Sequence, residues 1–317
     1  MEEFTMKTYT ELLPHIESRD YETHFWNTLR GKTSRREAST PTLDLSPYAL
    51  ALSPAGQDKY MAALKKESLF RNLATEIRAY DTGYRIKTAQ NEGASAWVPE
   101  GGAVTVSDDM SDFGEITLDR HKLVTSFMLE SPFVQDNTFV IEKYLVSRLS
   151  QNFARAEDNA FINGTGKHMP TGILAEEGGA DVGVTTTALT YDDVVKLFFS
   201  VKPRYRRNAV WLMNDETAYA LRTLKDAAGN YIWNHANDTI LGHKVMISEF
   251  MPNAESDCKP IAFGDFRYYW IVDRQPVCVR TLVEKYATID CIGYRAYEFL
   301  DGKLVRPEAI KVLKIEE

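Results

Sequence analysis

The chain has 317 residues, 44% hydrophobic and 26% charged, a globular composition able to fill one large core or two moderate ones. Lys and Arg number 37 against 45 Asp and Glu, and the net charge of −8 lacks the cationic excess that tight, sequence-independent binding to phosphates requires. Cys258, Cys278 and Cys291, without CxxC spacing, argue against a disulfide framework or a zinc site and suit buried thiols in a reducing compartment.

No apolar run approaches the ~20 residues of a membrane span. The leading MEEFTMKTYTELL has neither the basic flank nor the apolar stretch of a signal peptide, so synthesis and use in the cytosol are expected. Tyr21, Phe25, Trp26 and Leu29 then recur at helical spacing, with Gly31 as a stop and a polar connector over 32–47. Arg30, Lys32, Arg35 and Arg36 form a basic cluster, either a solvated loop or a contact for nucleic acid or an acidic neighbour. Ser53-Pro54 has the form of a helix cap followed by proline at the first helical position, and Tyr60, Leu64, Leu69, Leu73 and Ile77 continue an apolar stripe.

Residues 84–88 alternate, and Pro99-Glu100-Gly101-Gly102 is a strong turn signal before Val104 and Val106. The tip that follows is acidic, with Asp108, Asp109 and Asp112. On the return limb Ile116 and Leu118 share one parity while Leu123, Thr125, Phe127 and Leu129 share the other. A single flat strand cannot bury both sets, so a bulge or a change of neighbours is expected. A long helix is then predicted over 132–163, with Ile141, Leu145, Leu149 and Phe153 as the packed stripe, broadened by Val146, Ala156 and Ala160. Glu142, Lys143, Arg148, Arg155, Glu157 and Asp158 are assigned to its wet side, and Gly164 to a left-handed stop.

Gly164-Thr165-Gly166-Lys167-His168 is too short for a phosphate loop, and Pro170 interrupts the helix start such a loop needs. From Leu189 the pattern becomes compact α/β. Thr190-Tyr191-Asp192-Asp193 has capping-box spacing before a helix stopped near Pro203, and 209–213 reads as a buried strand. Asn214 caps a helix over 215–225, and strand-like segments at 244–248, 261–263, 268–272 and 277–282 follow in a mixed, mostly antiparallel sheet. The last strands, from 288 onward, are expected to return to the long helix.

Catalytic motifs are absent: there is no HExxH, GxSxG or strand-following GxGxxG, and no cysteine motif marks a nucleophile. Asp108-Asp109 and Asp192-Asp193 are explained by a loop and by a helix's first turn without invoking a metal. No enzyme activity, cofactor or metal is expected.

The order of Trp97-Val-Pro-Glu-Gly-Gly102, Ala160-Phe-Ile-Asn-Gly-Thr-Gly166, Pro170-Thr-Gly-Ile-Leu174, Trp211-Leu-Met-Asn-Asp215, Leu221-Arg-Thr-Leu-Lys-Asp226, Gly242-His-Lys-Val245, Phe263-Gly-Asp-Phe266 and Arg306-Pro-Glu-Ala-Ile310 resembles the major capsid proteins of tailed bacteriophages. The likeness runs from about residue 53 onward. It implies an α+β, Hong Kong 97-type fold with an N-terminal arm at 1–52 and an extended E-loop at 84–126. The peripheral domain would comprise 53–83, 127–188 with the spine helix, and 288–317, and the axial domain 189–287.

On that resemblance the chain is a shell subunit of a virion, assembled in the bacterial cytoplasm. It would form pentamers and hexamers with itself, meet portal, scaffolding and decoration proteins, and enclose DNA with weak contacts. Candidates for inter-subunit contact are Trp26, Arg30, Arg35, Arg36, Trp97, Glu100, Asp108, Asp109 and Asp112. Some members of the family join an E-loop lysine to a neighbour's asparagine; the tip at 90–112 has no lysine, so no cross-link is expected here. The chain also lacks a long charged helical stretch before the arm, so scaffolding would be separate or already removed. An encapsulin-like compartment shares the fold, and a soluble α/β enzyme is the alternative from another class.

Overall fold

The computed structural model describes residues 17, 19–30, 50–80, 84–89, 97, 113–136, 140–224, 231, 233 and 239–316. A helix, Arg19–Leu29, is followed by β1 (Leu50–Ala51), the helix Pro54–Glu67, a single turn at Phe70–Leu73 and β2 (Thr75–Arg78). Then come β3 (Tyr84–Ala89), β4 (Phe113–Leu118), β5 (His121–Glu130), a short helix Ser131–Gln135 and the long helix Ile141–Asn163. After β6 (Asp181–Thr186), the helices Tyr191–Ser200 and Pro203–Arg206 lead into β7 (Val210–Met213) and the helix Asp215–Thr223. The chain closes with β8 (Thr239–Ile240), β9 (His243–Ile247), β10 (Ile261–Gly264), β11 (Tyr269–Leu282), β12 (Cys291–Leu304) and β13 (Ile310–Ile315).

Local chemistry accounts for several boundaries. The Ser53 hydroxyl accepts from the Gly56 N–H at 3.1 Å and Pro54 occupies the first turn. Asn214 accepts from the Thr217 N–H at 2.7 Å in the same way. Thr190 departs from the expected box: its hydroxyl donates to Asp193 at 2.5 Å and leaves the backbone uncapped.

The long helix begins at Ile141, nine residues later than expected, because Pro132 sits in the separate helix Ser131–Gln135. Its 23 residues span roughly 35 Å at the α-helical rise. Gly164 is not left-handed, with φ −62°. A Cβ there would lie 2.2 Å from the Pro170 carbonyl oxygen and 2.3 Å from that of Ala160, so close backbone approach demands glycine. In the loop that follows, Gly166 and His168 are left-handed, in a tight turn bridged by Thr165 and Thr171.

Two large sheets organise the molecule. The first runs β1-β11-β12-β5, with β2 parallel to β11; the second runs β6-β13-β10-β7-β9-β8. In the second, side chains alternate strictly. Trp211, Met213, Ile261, Phe263, Leu313 and Ile315 face the helices Tyr191–Ser200 and Asp215–Thr223, while Leu212, Ala262, Ile310 and Val312 face the end of the long helix. Trp211 and Phe263 are register partners and stack at 4.1 Å between ring centroids.

Two strands sit differently from the sequence reading. β13 reaches the end of the long helix, as expected of the last strands, but from inside the six-stranded sheet and apart from β12, and β11, placed with the α/β region, pairs along its length with β12. The reason is pairing between strands distant in sequence, which a local pattern does not carry.

The long helix packs Ile141, Leu145, Leu149 and Phe153 into a core with Tyr60, Leu64, Tyr294 and the first helix's Tyr21, Phe25 and Leu29. Burying such side chains contributes about 1.5–3 kcal/mol each. The first helix is pinned at both ends, Tyr21 Oη donating to Ala51 O at 2.7 Å and Tyr294 Oη to Leu29 O at 2.8 Å. An aromatic node of Phe70, Phe161, Phe266 and Tyr269 joins the two sheets, with centroid separations of 5.3–5.8 Å from Phe70 to the other three. Cys278 is buried as expected, but Cys258 and Cys291 are only half-buried.

Candidate assembly surfaces

The return limb changes neighbours where its parity switches. β4 pairs with β3 in a two-stranded ladder, the chain crosses at Asp119 and Arg120, and β5 then pairs with β12 from His121↔Leu300 to Glu130↔Cys291. Asp301, fully buried in β12, anchors this crossing. It accepts from the Asp119 N–H at 2.6 Å and the Gly302 N–H at 2.8 Å, with His121 Nε2 at 3.5 Å.

Burial pushes the Asp301 carboxyl up, and the Asp119 N–H, Lys303 and His121 oppose that shift. Asp119, His121 and Asp301 offer ligand atoms within 4.8 Å of one another, but the Lys303 ammonium already stands 3.5 Å from Asp119 and 3.8 Å from Asp301. Arg120 donates to Gln275 and lies 3.9 Å over the Phe299 ring, and Lys122 Nζ lies 4.5 Å over Tyr297. The hairpin is therefore held at its base by buried polar and cation–π contacts.

β5 is the edge of its sheet: among the described residues no strand pairs with it on the side away from β12. Leu123, Phe127 and Leu129 point into the core, and Val124 and Met128, the latter 54% exposed, lie on the outer face. Ten residues of strand with open backbone groups are a template for strand addition by another chain.

Of the residues singled out for contact, Trp26 is half-buried against its own core, edge-on to Phe25 at 4.9 Å, so much of its ring is already covered. Arg30 is half-buried at the end of the first helix, its N–H donating to Trp26 O at 3.0 Å. Trp97 is fully exposed. Arg35, Arg36, Glu100, Asp108, Asp109 and Asp112 lie outside the described residues.

The long helix also carries part of a buried ionic network. Glu157 and Asp158, assigned to the wet side of the long helix, are only 1% and 6% exposed. Arg71 forks onto Glu157 at 2.6 and 2.7 Å and onto Asp273 at 2.9 and 3.2 Å. Glu298 accepts from Tyr60 Oη at 3.0 Å, and its carboxyl is held well above the usual range by burial and by the neighbouring Glu157. Asp158 accepts from Ser68 Oγ and the N–H groups of Leu69 and Phe70 at 2.6–3.1 Å, capping the turn Phe70–Leu73 from another element. The spacing held a signal: extending the stripe 141, 145, 149, 153 by four lands on Glu157.

Residues 49–315 match the family model described as the phage capsid family. The chain belongs to that family. Its fold is of the Hong Kong 97 type, as in solved phage capsids. This capsid-family chain is similar to the capsid of the empty GTA particle computed with C5 symmetry, at 27% identity and TM-score 0.68, covering 87% of this chain and 96% of that one.

The probable major capsid protein gp17 of Mycobacterium phage L5 is 28% identical over 120 residues, 38% of this chain and 36% of the relative. Its counterpart from Mycobacterium phage D29 is 26% identical over 144 residues, 45% of each chain. The match thus spans less than half the length of these curated relatives. A virus-like particle from Pyrococcus furiosus, 14% identical with TM-score 0.51 and covering 82% of this chain and 98% of that one, shares the fold alone.

Proposed function

We propose that the chain is the major capsid protein of a tailed bacteriophage or prophage, closing into an icosahedral shell around double-stranded DNA. One observation carries the reading: nearly the whole length of a particle-forming capsid chain superposes on this one. The free edge of β5 and the separate β3–β4 hairpin supply heterologous surfaces, which close into rings when repeated around an axis. Pentamers and hexamers are the expected rings, with portal, scaffolding and decoration proteins as further partners. The chain contributes no catalytic step, and the finished protein resides in the virion.

Expression with its neighbouring head proteins, followed by sedimentation and negative-stain microscopy, should yield closed shells. A strictly monomeric product under every salt and co-expression condition would sink the proposal. Purified particles filled with a cargo protein and lacking DNA would favour an encapsulin-like compartment instead. Denaturing gels of assembled shells should show one band at monomer mass, since the described loop base places Lys122 over Tyr297 and the tip has no lysine.

A further inference from the structure

The sequence Lys202-Pro-Arg-Tyr-Arg-Arg207 carries four cations in six residues, and the fold brings Arg306 beside them. Lys202, Arg204 and Arg306 converge on the carboxylate of Glu308, in a chain whose net charge is −8, while Arg206 and Arg207 make no ion pair with it. Glu308 accepts from Lys202 Nζ and Arg204 Nη2 at 2.5 Å and from Tyr205 Oη at 2.6 Å, with Arg306 Nη1 3.9 Å away. It therefore orders these three cationic side chains on one surface.

Arg206 is held differently. Its guanidinium stands 5.1 Å from the ring centroids of both Phe198 and Phe199, and its Nε has no hydrogen-bond partner among the described residues. Phe199 is itself 64% exposed, and Arg207 is exposed beside it. Planar guanidinium forks with little freedom left to lose are suited to phosphate oxygens, which accept two parallel N–H bonds. Packing against the rings keeps the Arg206 plane oriented before any ligand arrives.

We infer that residues 202–207 with Arg306 form a docking surface for the phosphodiester backbone of the enclosed nucleic acid, so that this end of the six-stranded sheet faces the shell lumen. The inference rests on the shell reading and names one place where DNA is touched. With about five phosphate contacts at most, binding is weak and steeply salt-dependent, which suits a genome that must slide during packing and leave later.

The test uses the full chain and a 30-base-pair duplex, with affinity followed by fluorescence anisotropy from 50 to 200 mM salt. Arg206→Gln with Arg207→Gln should weaken binding about tenfold at the low end and make the log–log salt slope shallower by about 2, near 0.9 per lost phosphate contact. Lys143→Gln with Arg148→Gln, an equal loss of charge on the exposed side of the long helix, should change affinity less than twofold. Arg207→Gln alone should move the slope by about 1 and leaves the Phe198 packing untouched.

In DNA-filled particles Lys202 should be acetylated several-fold more slowly than in emptied ones. An unchanged slope, or an equal loss in the long-helix control, overturns the inference. So does a variant that binds DNA normally yet no longer forms shells, because the surface would then be an interface between subunits. Wild-type protein that forms shells but whose unassembled subunits ignore the duplex refutes only this inference, whereas duplex binding by a chain that never assembles refutes the shell reading and the lumenal placement with it.

Discussion

The two sheets solve the problem of burial in opposite ways. The six-stranded sheet is covered on both faces, by helices on one side and by the end of the long helix on the other, and its inner strands β7 and β10 read as nearly continuous apolar runs. The sheet built on β11 and β12 keeps a ten-residue open edge and encloses Arg71, Glu157, Asp273 and Glu298 within the body it shares with the long helix. The six-stranded sheet ends in β6 and β8, of six and two residues, whereas the other presents, among the described residues, the longer edge of β5, with backbone groups open to solvent or to an added strand, and a charged network behind it.

The largest effect on the fold should come from Arg71→Met, which strands Glu157 and Asp273 without a counter-charge and costs about 3–5 kcal/mol. Urea unfolding of the soluble chain measures it; a loss under 1 kcal/mol would mean the network is incidental. Leu149→Ala, in the apolar part of the same spine, should cost about 3 kcal/mol through the cavity it leaves. Ser53→Ala removes one helix cap and should cost about 1 kcal/mol, with Ser53→Thr close to wild type.

Smallest on the fold is Val124→Lys with Met128→Lys, expected within about 0.5 kcal/mol because both side chains are on the outer face of β5. Its consequence for assembly should nevertheless be complete, read as loss of shells by sedimentation. Normal shells from this variant would remove β5 from the list of contact surfaces.

Acidity separates the two regions as well. Glu298 is held well above its ordinary 4.5, so the folded chain keeps a proton that the unfolded chain releases, and stability falls as pH rises from 4.5 toward the folded value. Glu298→Gln should flatten that decline. Glu308, beside the six-stranded sheet, is pushed down to about 2 chiefly by its hydrogen bond from Lys202. Its contribution is present above 4.5 and lost as pH falls from 4.5 to 2, so Glu308→Gln should flatten only the acid limb. Melting temperatures across pH 2–9 for both variants decide this, and interchanged limbs would contradict the assignment.

Much of this organisation was legible because it is local. The Ser53 and Asn214 caps, the stripe Ile141, Leu145, Leu149, Phe153 and the parity switch between Leu118 and Leu123 each follow from spacing within a few residues. Charge alone assigns Glu157 to the wet side, because a charged residue is normally solvated, whereas the period of the stripe puts it inside, where the fold buries it. The four cations of 202–207 are adjacent in sequence, but Arg306 and Glu308, about a hundred residues away, join them only in the fold.

What the residues determined by themselves was therefore the periodic and punctuated part: helix faces, caps, turns, the absence of a membrane-length apolar run, and the ordered strings that resemble capsid chains. Tertiary structure alone decided that Arg71 meets Asp273 across 202 positions, that Ile310–Ile315 enters the six-stranded sheet, and that β5 has an open side among the described residues. The physical reason is that hydrogen-bond pairing and charge compensation depend on distance in space, and a strand or an ion carries no local mark of the partner it will find.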